Sequence, residues 1–330
     1  MPNRSTATLA RRGAVLLGVV LALATGCSGG GGGPLTTPTS GTAQGGSGEG
    51  ITVSRRGFTA GGGSGLVASK RHPGVLWAIR DRGGQDRPGQ PRNALYALKV
   101  AGGRVEDVAP GARTVAVELP ARSVDWEDLG RDDDGNLWVG DIGNNECDRD
   151  DTALLKVREP DPAAGRPATV LATYRYRFPD PPAGCRGRNA EAMFLVGGVP
   201  YLIDKAAPST VYRFPRLDPG GTVTLQRVGE LAGGVRNLSG ADLSSDHRLL
   251  AVDTHTMLYV YQASDPGLRG EALVADLIAR PPKWTVPLER PGASAPVNVE
   301  GVAFAYGGHD LTLLAENRDV FTVPAAAYMG

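Results

Sequence analysis

The sequence predicts an all-β protein folded as a β-propeller of five four-stranded blades. From residue 51 onwards, short apolar runs alternate with Gly, Pro and Asp, which is typical of strands joined by tight turns. One pattern, a pair of strands whose second member ends in an acid, occurs five times at roughly 50–65-residue intervals, the period of propeller blades. Only residues 271–280 show a period that suggests a helix.

The first 27 residues predict an export signal. Arg4, Arg11 and Arg12 precede the apolar run of residues 14–24, which is too short to span a bilayer comfortably. Cys27 follows Leu-Ala-Thr-Gly, a sequence similar to the bacterial lipobox, in which the cysteine is lipidated and becomes the first residue. The alternative is an ordinary cleaved signal with an incidental cysteine. We expect an exported protein, lipid-anchored to the outer face of the cytoplasmic membrane or the cell envelope.

The rest of the chain divides into a tether and one domain. Residues 28–50 are rich in Gly, Ser and Thr and predict a disordered tether, and residues 51–330 predict a single propeller. The chain has 35 Lys+Arg and 35 Asp+Glu, a balance that argues against a nucleic-acid binder. Loss of the three signal arginines leaves a net charge of −3. We expect a monomer whose only membrane contact is the lipid anchor.

The blades can be assigned in order along the chain. The five strand pairs are residues 64–68 and 76–81, 125–129 and 137–141, 189–194 and 201–205, 239–243 and 250–253, and 298–304 and 314–317. The predicted outer strands are residues 94–100 and 114–119, 154–157 and 170–178, 210–214 and 223–228, 257–261 and 284–288, and 320–323.

The two ends of the domain predict how the ring closes. The fifth copy lacks a fourth strand, and residues 51–58 form a strand without a blade. Pairing these two ends closes the ring and removes both open edges. Six blades remain the alternative, if a strand pair lies within residues 263–297.

Propeller topology predicts a polar rim on one face. The loop that leads into each first strand and the loop that leaves each second strand open on the same face of a propeller, so residues at these positions converge. From the first strands these residues are Asp125, Glu127, Glu191, Asp242 and Glu300. From the second strands they are Asp81, Asp141, Asn144, Asn145, Asp204, Lys205, Asp253, His255, Glu316 and Asn317.

Crowded acids at such a rim require a positive partner, because like charges disfavour mutual ionisation. Carboxylate and amide oxygens suit Ca²⁺ or Mg²⁺ better than zinc. The candidate ligands of Ca²⁺ or another divalent metal are Glu127, Asp141, Asn145, Glu191 and Glu300, and the candidate catalytic residues are Glu127, Glu191, His255 and Glu300. The structural alternative is that these residues cap strand ends and bond neighbouring backbone amides.

Two cysteines remain after Cys27. Cys147 follows the second strand of the second blade, and Cys185 precedes the first strand of the third, so both loops lie on the rim face. In the oxidising compartment that export implies, this placement favours a Cys147–Cys185 disulfide. Free thiols are the alternative.

Several segments resemble a known group of proteins. Asp125-Trp-Glu-Asp-Leu129, Trp138-Val-Gly-Asp-Ile-Gly-Asn-Asn145, Arg158-Glu-Pro160 and Asn189-Ala-Glu-Ala192 with Lys205 are similar to secreted bacterial β-propeller lipoproteins likened to the esterase-like-activity-of-phytase propellers. The group usually has Asp-Ile-Gly-Asp-Asn, so Asn144 removes one charge. A looser similarity exists to gluconolactonase-type propellers, which hold a divalent metal in the channel. The resemblance implies the propeller fold far more than any reaction.

Two functions follow as expectations. The first is a binding module that holds a divalent metal, or a small-molecule, glycan or protein ligand, at its acidic rim. The second is a metal-dependent hydrolase of phosphoesters or lactones, in which metal-bound water attacks and a rim carboxylate serves as base. The sequence lacks a His cluster and a nucleophile motif, which favours the first.

Overall fold

The computed structural model describes residues 44–45, 50–81, 90–288 and 297–330. The predicted export signal, Cys27 and nearly all of the tether lie outside the described residues. Within the described part of the chain, no helix is both long and apolar enough to cross a membrane.

Five successive, mainly antiparallel sheets form the blades of a β-propeller, which confirms the predicted fold class. Strands β1 (Gln44–Gly45) and β2 (Thr52–Ser54) precede the blades. Blade one contains β3 (Gly63–Ala68), β4 (Val75–Arg80), β5 (Ala94–Ala101), β6 (Arg104–Glu106) and β7 (Thr114–Glu118). Blade two contains β8 (Trp126–Arg131), β9 (Leu137–Asp141), β10 (Ala153–Arg158) and β11 (Thr169–Arg177).

The remaining blades follow the same order from inside to outside. Blade three contains β12 (Ala190–Val196), β13 (Val199–Asp204), β14 (Thr210–Arg213) and β16 (Gln226–Glu230). Strand β15 (Thr222–Thr224) lies between β14 and β16 in the chain but joins the sheet of blade two. Blade four contains β17 (Leu238–Leu243), β18 (Leu249–Thr254), β19 (Met257–Gln262), helix α1 (Gly270–Ile278) and β20 (Trp284–Pro287). Blade five contains β21 (Val299–Phe304), β22 (Leu311–Ala315) and β23 (Val320–Val323), and the short helix α2 (Ala325–Met329) follows.

The ring closes as the sequence predicts. Strand β2 pairs antiparallel with β23, with Thr52 opposite Thr322, and supplies the missing fourth strand of blade five. Each innermost strand contacts the innermost strand of the next blade, and β21 contacts β3. Blade five therefore has no open edge at β23.

Two segments differ from or refine the sequence prediction. The predicted strand 223–228 is interrupted at Leu225: β15 pairs in parallel with β11 of blade two, and β16 pairs with β14. The segment that would have held a sixth blade contains α1, whose buried side chains, Leu273 and Leu277 among them, pack into the core between blades three and four. The propeller therefore has five blades, and the helix that the sequence predicts at residues 271–280 is confirmed as α1.

The core consists of five apolar clusters, each between two neighbouring blades. Between blades two and three, for example, Trp138 is fully buried and stacks on Tyr174 with ring centroids 5.2 Å apart. Because every blade is buried on both faces, the inner strands have almost continuous apolar runs. A polar residue within one of these strands is therefore a local exception that needs a reason.

The predicted disulfide between Cys147 and Cys185 is confirmed. It joins the loop after β9 to the loop before β12, so it ties blade two to blade three on the rim face. The backbone amide of Arg186 also donates to the carbonyl of Cys147 at 3.0 Å. These links fix the loops beside the predicted rim.

Candidate functional site

Each innermost strand contains a β-bulge near its start, at the rim end. The unpaired residues are Gly65, Glu127, Glu191, Ser239 and Glu300. A bulge leaves one residue outside the ladder and changes the direction of its side chain. Three of the five equivalent positions hold glutamate, and we call Glu127, Glu191 and Glu300 the glutamate ring.

The glutamate ring is crowded with negative charge. Glu127 and Glu191 are 7% and 3% exposed. Burial raises the pKa of Glu127 well above its ordinary value, and the nearby carboxylates of Glu191, Asp125 and Asp81 raise it further. Burial also raises the pKa of Glu191, and the charge of Glu300 adds to this effect. The sequence prediction that these acids converge is therefore supported for the ring.

Two basic side chains face the ring. Lys205 Nζ lies 3.2 Å from Glu191 Oε1, and His255 Nε2 lies 3.2 Å from Glu300 Oε1. The hydrogen bond with Glu300 raises the pKa of His255. The side chains of Lys205 and His255 are 28% and 43% exposed, so each can rotate towards solvent without disturbing the packing of the core.

Asp253, near the end of β18, lies beneath the ring and is fully buried. Neither of its carboxylate oxygens has a hydrogen-bond partner on another residue, and its own backbone amide is the one group that counteracts the cost of its burial. Burial raises its pKa well above the ordinary value, and the nearby charge of Glu300 raises it further. Gly240 makes room for this carboxyl, since a Cβ there would lie 2.7 Å from Asp253 Oδ1. An unpartnered buried carboxyl is costly and is the strongest indication of a missing positive ligand.

Other predicted rim residues hold the scaffold together. Asp141 Oδ1 accepts a hydrogen bond from the backbone amide of Asp125 at 2.9 Å and forms an ion pair with Arg149 Nη2, also at 2.9 Å. Asp204 pairs with Arg188 at 2.9 Å and accepts from the backbone amide of Thr210 at 2.7 Å. For these two acids the strand-end interpretation describes what the structure shows.

The segment Asp141-Ile-Gly-Asn-Asn145 packs against the ring. Gly143 lies so close to Glu127 that a Cβ would collide with the carboxylate, so a larger residue there would displace the acid. The exposed Asn145 accepts a hydrogen bond from Asn189 at 2.9 Å, and Asn189 also donates to Glu191 at 2.6 Å. The segment therefore positions the ring from outside.

The placement of Asp242 at the rim was wrong. Asp242 is the fifth of six residues in β17, so it lies at the opposite end of the channel, where it lines a cavity with Ser244 and Tyr306. Glu316 and Asn317 follow β22 and are exposed.

Asp128 is a central residue that the sequence analysis did not single out. It is fully buried, and its carboxylate accepts backbone amides from Leu129 at 2.8 Å, Met193 at 2.7 Å and Ala241 at 3.2 Å. These residues belong to the inner strands of blades two, three and four. The sequence does contain a clue to its role. Asp128 directly follows Glu127, whereas the equivalent residues in blades four and five are Gly240 and Gly301.

The predicted metal ligands are not assembled as a cage. Among the described residues, no group of three His, Cys, Asp or Glu side chains is arranged to hold a metal ion. Asp141 is engaged by Arg149, and Asn145 by Asn189. Lys205 and His255 occupy the ring's partly exposed side. Carboxylate oxygens suit a hard cation, but closing them around one requires these two basic side chains to move.

Comparison with known proteins finds only distant structural similarities. No family model matches the chain, and no curated protein matches it. Among solved structures, the chain is similar to Myxococcus xanthus glutaminyl cyclase, with 12% identity, TM-score 0.46 and coverage of 80% of this chain and 90% of that chain. It is also similar to a catalytically inactive virginiamycin B lyase from Staphylococcus aureus with quinupristin, with 10% identity, TM-score 0.36 and coverage of 79% and 65%.

A third similarity is to a chain of a mitotic checkpoint complex, with 14% identity, TM-score 0.34 and coverage of 76% of this chain. The present chain spans 58% of that chain's length and 65% of the lyase's. The cyclase and the lyase are β-propeller-like proteins, and at these identities the likeness does not extend to their activities.

Proposed function

We propose that this protein is an exported, lipid-anchored propeller that binds a divalent cation, Ca²⁺ foremost, at the glutamate ring. The observation that carries the proposal is Asp253, a fully buried carboxyl that no other residue partners and on which the charge of Glu300 acts. Hard oxygen donors favour Ca²⁺ or Mg²⁺ over softer metals.

The surrounding groups suit a site in which a bound metal cation replaces two basic side chains. Lys205 and His255 partly neutralise Glu191 and Glu300 and are exposed enough to move aside. Glu191, Glu300 and Asp253 would then supply oxygen ligands. The lipid anchor at Cys27 and the tether, both predicted from the sequence, would hold the site at the cell surface. The resemblance to secreted phytase-like propellers agrees with this location.

Thermal unfolding tests the cation site. Ca²⁺ that binds only the folded protein is expected to add about 2.7 kcal/mol at a concentration 100-fold above its Kd. This corresponds to a rise in Tm of about 5 °C or more, reversed by a chelator. Glu300→Gln and Asp253→Asn are expected to abolish the rise, whereas Glu146→Gln, an exposed acid on the rim loop, is expected to keep it. A Tm unaffected by Ca²⁺, Mg²⁺ and Zn²⁺ would refute the proposal.

Hydrolysis of phosphoesters or lactones at the same site is the second candidate, and it depends on the cation. Glu127 would be the general acid or base in this reaction, because its pKa is raised by burial and by the neighbouring acids, and because Gly143 packs directly against its carboxylate. We expect Ca²⁺-stimulated release of p-nitrophenol from its phosphate ester, or opening of a simple lactone, to fall about 100-fold in Glu127→Gln. If the protein bound Ca²⁺ but hydrolysed neither phosphoesters nor lactones, the hydrolase proposal would be refuted and the binding proposal would stand.

A further inference from the structure

A cavity of about 220 Å³ opens at the end of the channel opposite the glutamate ring. All five blades contribute to its wall, because the innermost strands end there. The lining residues used below are Lys70, Arg131, Asp133, Asp242, His247 and Tyr306.

This cavity is separate from the glutamate ring. Between them, Asp128 bonds the inner strands of three blades to one another. A Cβ on Gly65 would lie 2.7 Å from the Cα of Asp128, and one on Gly301 would lie 2.9 Å from the carbonyl carbon of Gly65. The inner strands therefore pack backbone against backbone at this level, and the two ends of the channel can bind different ligands.

The cavity wall presents both signs of charge. Arg131 donates from Nε to the carbonyl of Ala68 at 3.1 Å. Asp242 accepts the backbone amide of Phe304 at 2.8 Å, and the charge of Arg131 acts on its carboxyl. At the cavity's edge, His247 Nε2 lies 3.4 Å from Asp133 Oδ1. Arg131 and Lys70 face Asp133 and Asp242 in the same wall, so the charges are mixed and favour neither a simple anion nor a simple cation.

An aromatic ring stands at the cavity's edge. Tyr306 is 46% exposed, and the guanidinium carbon of Arg131 lies 4.7 Å from the centre of its ring. Tyr306 and Lys70 also line a neighbouring cavity of about 370 Å³ between blades five and one. An exposed aromatic ring between two cavities offers an apolar platform with polar groups on both sides.

We infer that this end of the channel binds a neutral saccharide. A sugar hydroxyl both donates and accepts hydrogen bonds, so one ring can satisfy Asp242 and Arg131 together without a net charge. The apolar face of the sugar would stack on the side of the Tyr306 side chain opposite Arg131. The neighbouring cavity has room for a second sugar unit, which favours an oligosaccharide over a single hexose.

The test is binding of the full protein to a printed array of oligosaccharides built from neutral hexoses, N-acetylhexosamines or uronic acids, followed by calorimetry with the retained oligosaccharide. We expect a neutral oligosaccharide to be retained. Tyr306→Ala should weaken its binding about tenfold, and Tyr306→Phe, which keeps the ring, should preserve it. Asp242→Asn should also weaken binding, because one hydrogen-bonding oxygen is replaced by a donor.

Variants at the other end separate this inference from the cation site. Glu300→Gln should leave saccharide binding unchanged, and Tyr306→Ala should leave the Ca²⁺ effect on Tm unchanged. Retention of no sugar, retention of uronic acids alone, or equal affinity in Tyr306→Ala would overturn the inference. If Glu300→Gln lost saccharide binding and Tyr306→Ala kept it, the sugar would bind at the glutamate ring, and the inference would again be overturned.

Discussion

Replacing Asp128 by alanine is expected to lower the free energy of unfolding by about 3–5 kcal/mol, because three buried backbone amides lose their acceptor at about 1–3 kcal/mol each before relaxation. These amides belong to Leu129, Met193 and Ala241, in three different blades. No other described side chain is seen to bond the inner strands of three blades in this way. We expect a lower urea midpoint, since a change in stability without a change in exposed surface alters the midpoint and not the slope.

Two variants give this experiment its controls. Asp128→Asn keeps one oxygen acceptor, so its loss should be smaller, about 1–2 kcal/mol. Asp134→Ala removes an exposed acid from the turn between β8 and β9, and the change should stay within about 0.5 kcal/mol. If Asp128→Ala were as stable as Asp134→Ala, the carboxyl would not be what joins the inner strands.

Stability is expected to fall as the pH rises from about 4 to about 7, with Asp242 as a main contributor. Burial raises the pKa of Asp242 from its ordinary value of 3.8 to about 7, although the amide of Phe304 and the charge of Arg131 oppose the shift. Within this window the folded protein keeps a proton that the unfolded chain has lost. The folded state is therefore favoured below the window, and about 4 kcal/mol of this contribution disappears by its upper end.

Urea unfolding across this pH range measures the effect. Asp242→Asn should flatten the curve, because the amide does not titrate, whereas Asp148→Asn, on an exposed loop, should leave the slope unchanged. The raised pKa values of Glu127, Glu191 and Asp253 act in the same direction, so some slope should remain in Asp242→Asn. A wild-type curve that rises between pH 4 and 7 would contradict the assignment.

Most of the fold could be predicted because propeller blades are locally encoded. Each blade is built from strands adjacent in sequence, so apolar runs and turn residues mark the strands without knowledge of the tertiary structure. The unpaired ends, residues 51–58 and β23, predicted ring closure because an exposed strand edge is unfavourable. The split at Leu225 could not be predicted, since it depends on β15 reaching the edge of another blade.

The candidate site was predictable in part. The repeat placed Glu127, Glu191 and Glu300 in corresponding positions, and Lys205 and His255 at the ends of second strands. The bulges that make these three positions equivalent are a property of strand pairing, which a single sequence does not reveal. Asp242 was misplaced because one residue's position along a strand decides which end of the channel it reaches.

The sequence by itself determined the blade count to within one alternative, the closing strand, the disulfide partners and the face on which most of the acids lie, because each depends on order along the chain. The tertiary structure decided which acids are paired and which are not. Asp141 and Asp204 pair with arginines, Asp128 accepts backbone amides from three blades, and Asp253 has no partner on any other residue. The physical reason is that the cost of a buried carboxyl depends on its neighbours in space, and these come from other blades.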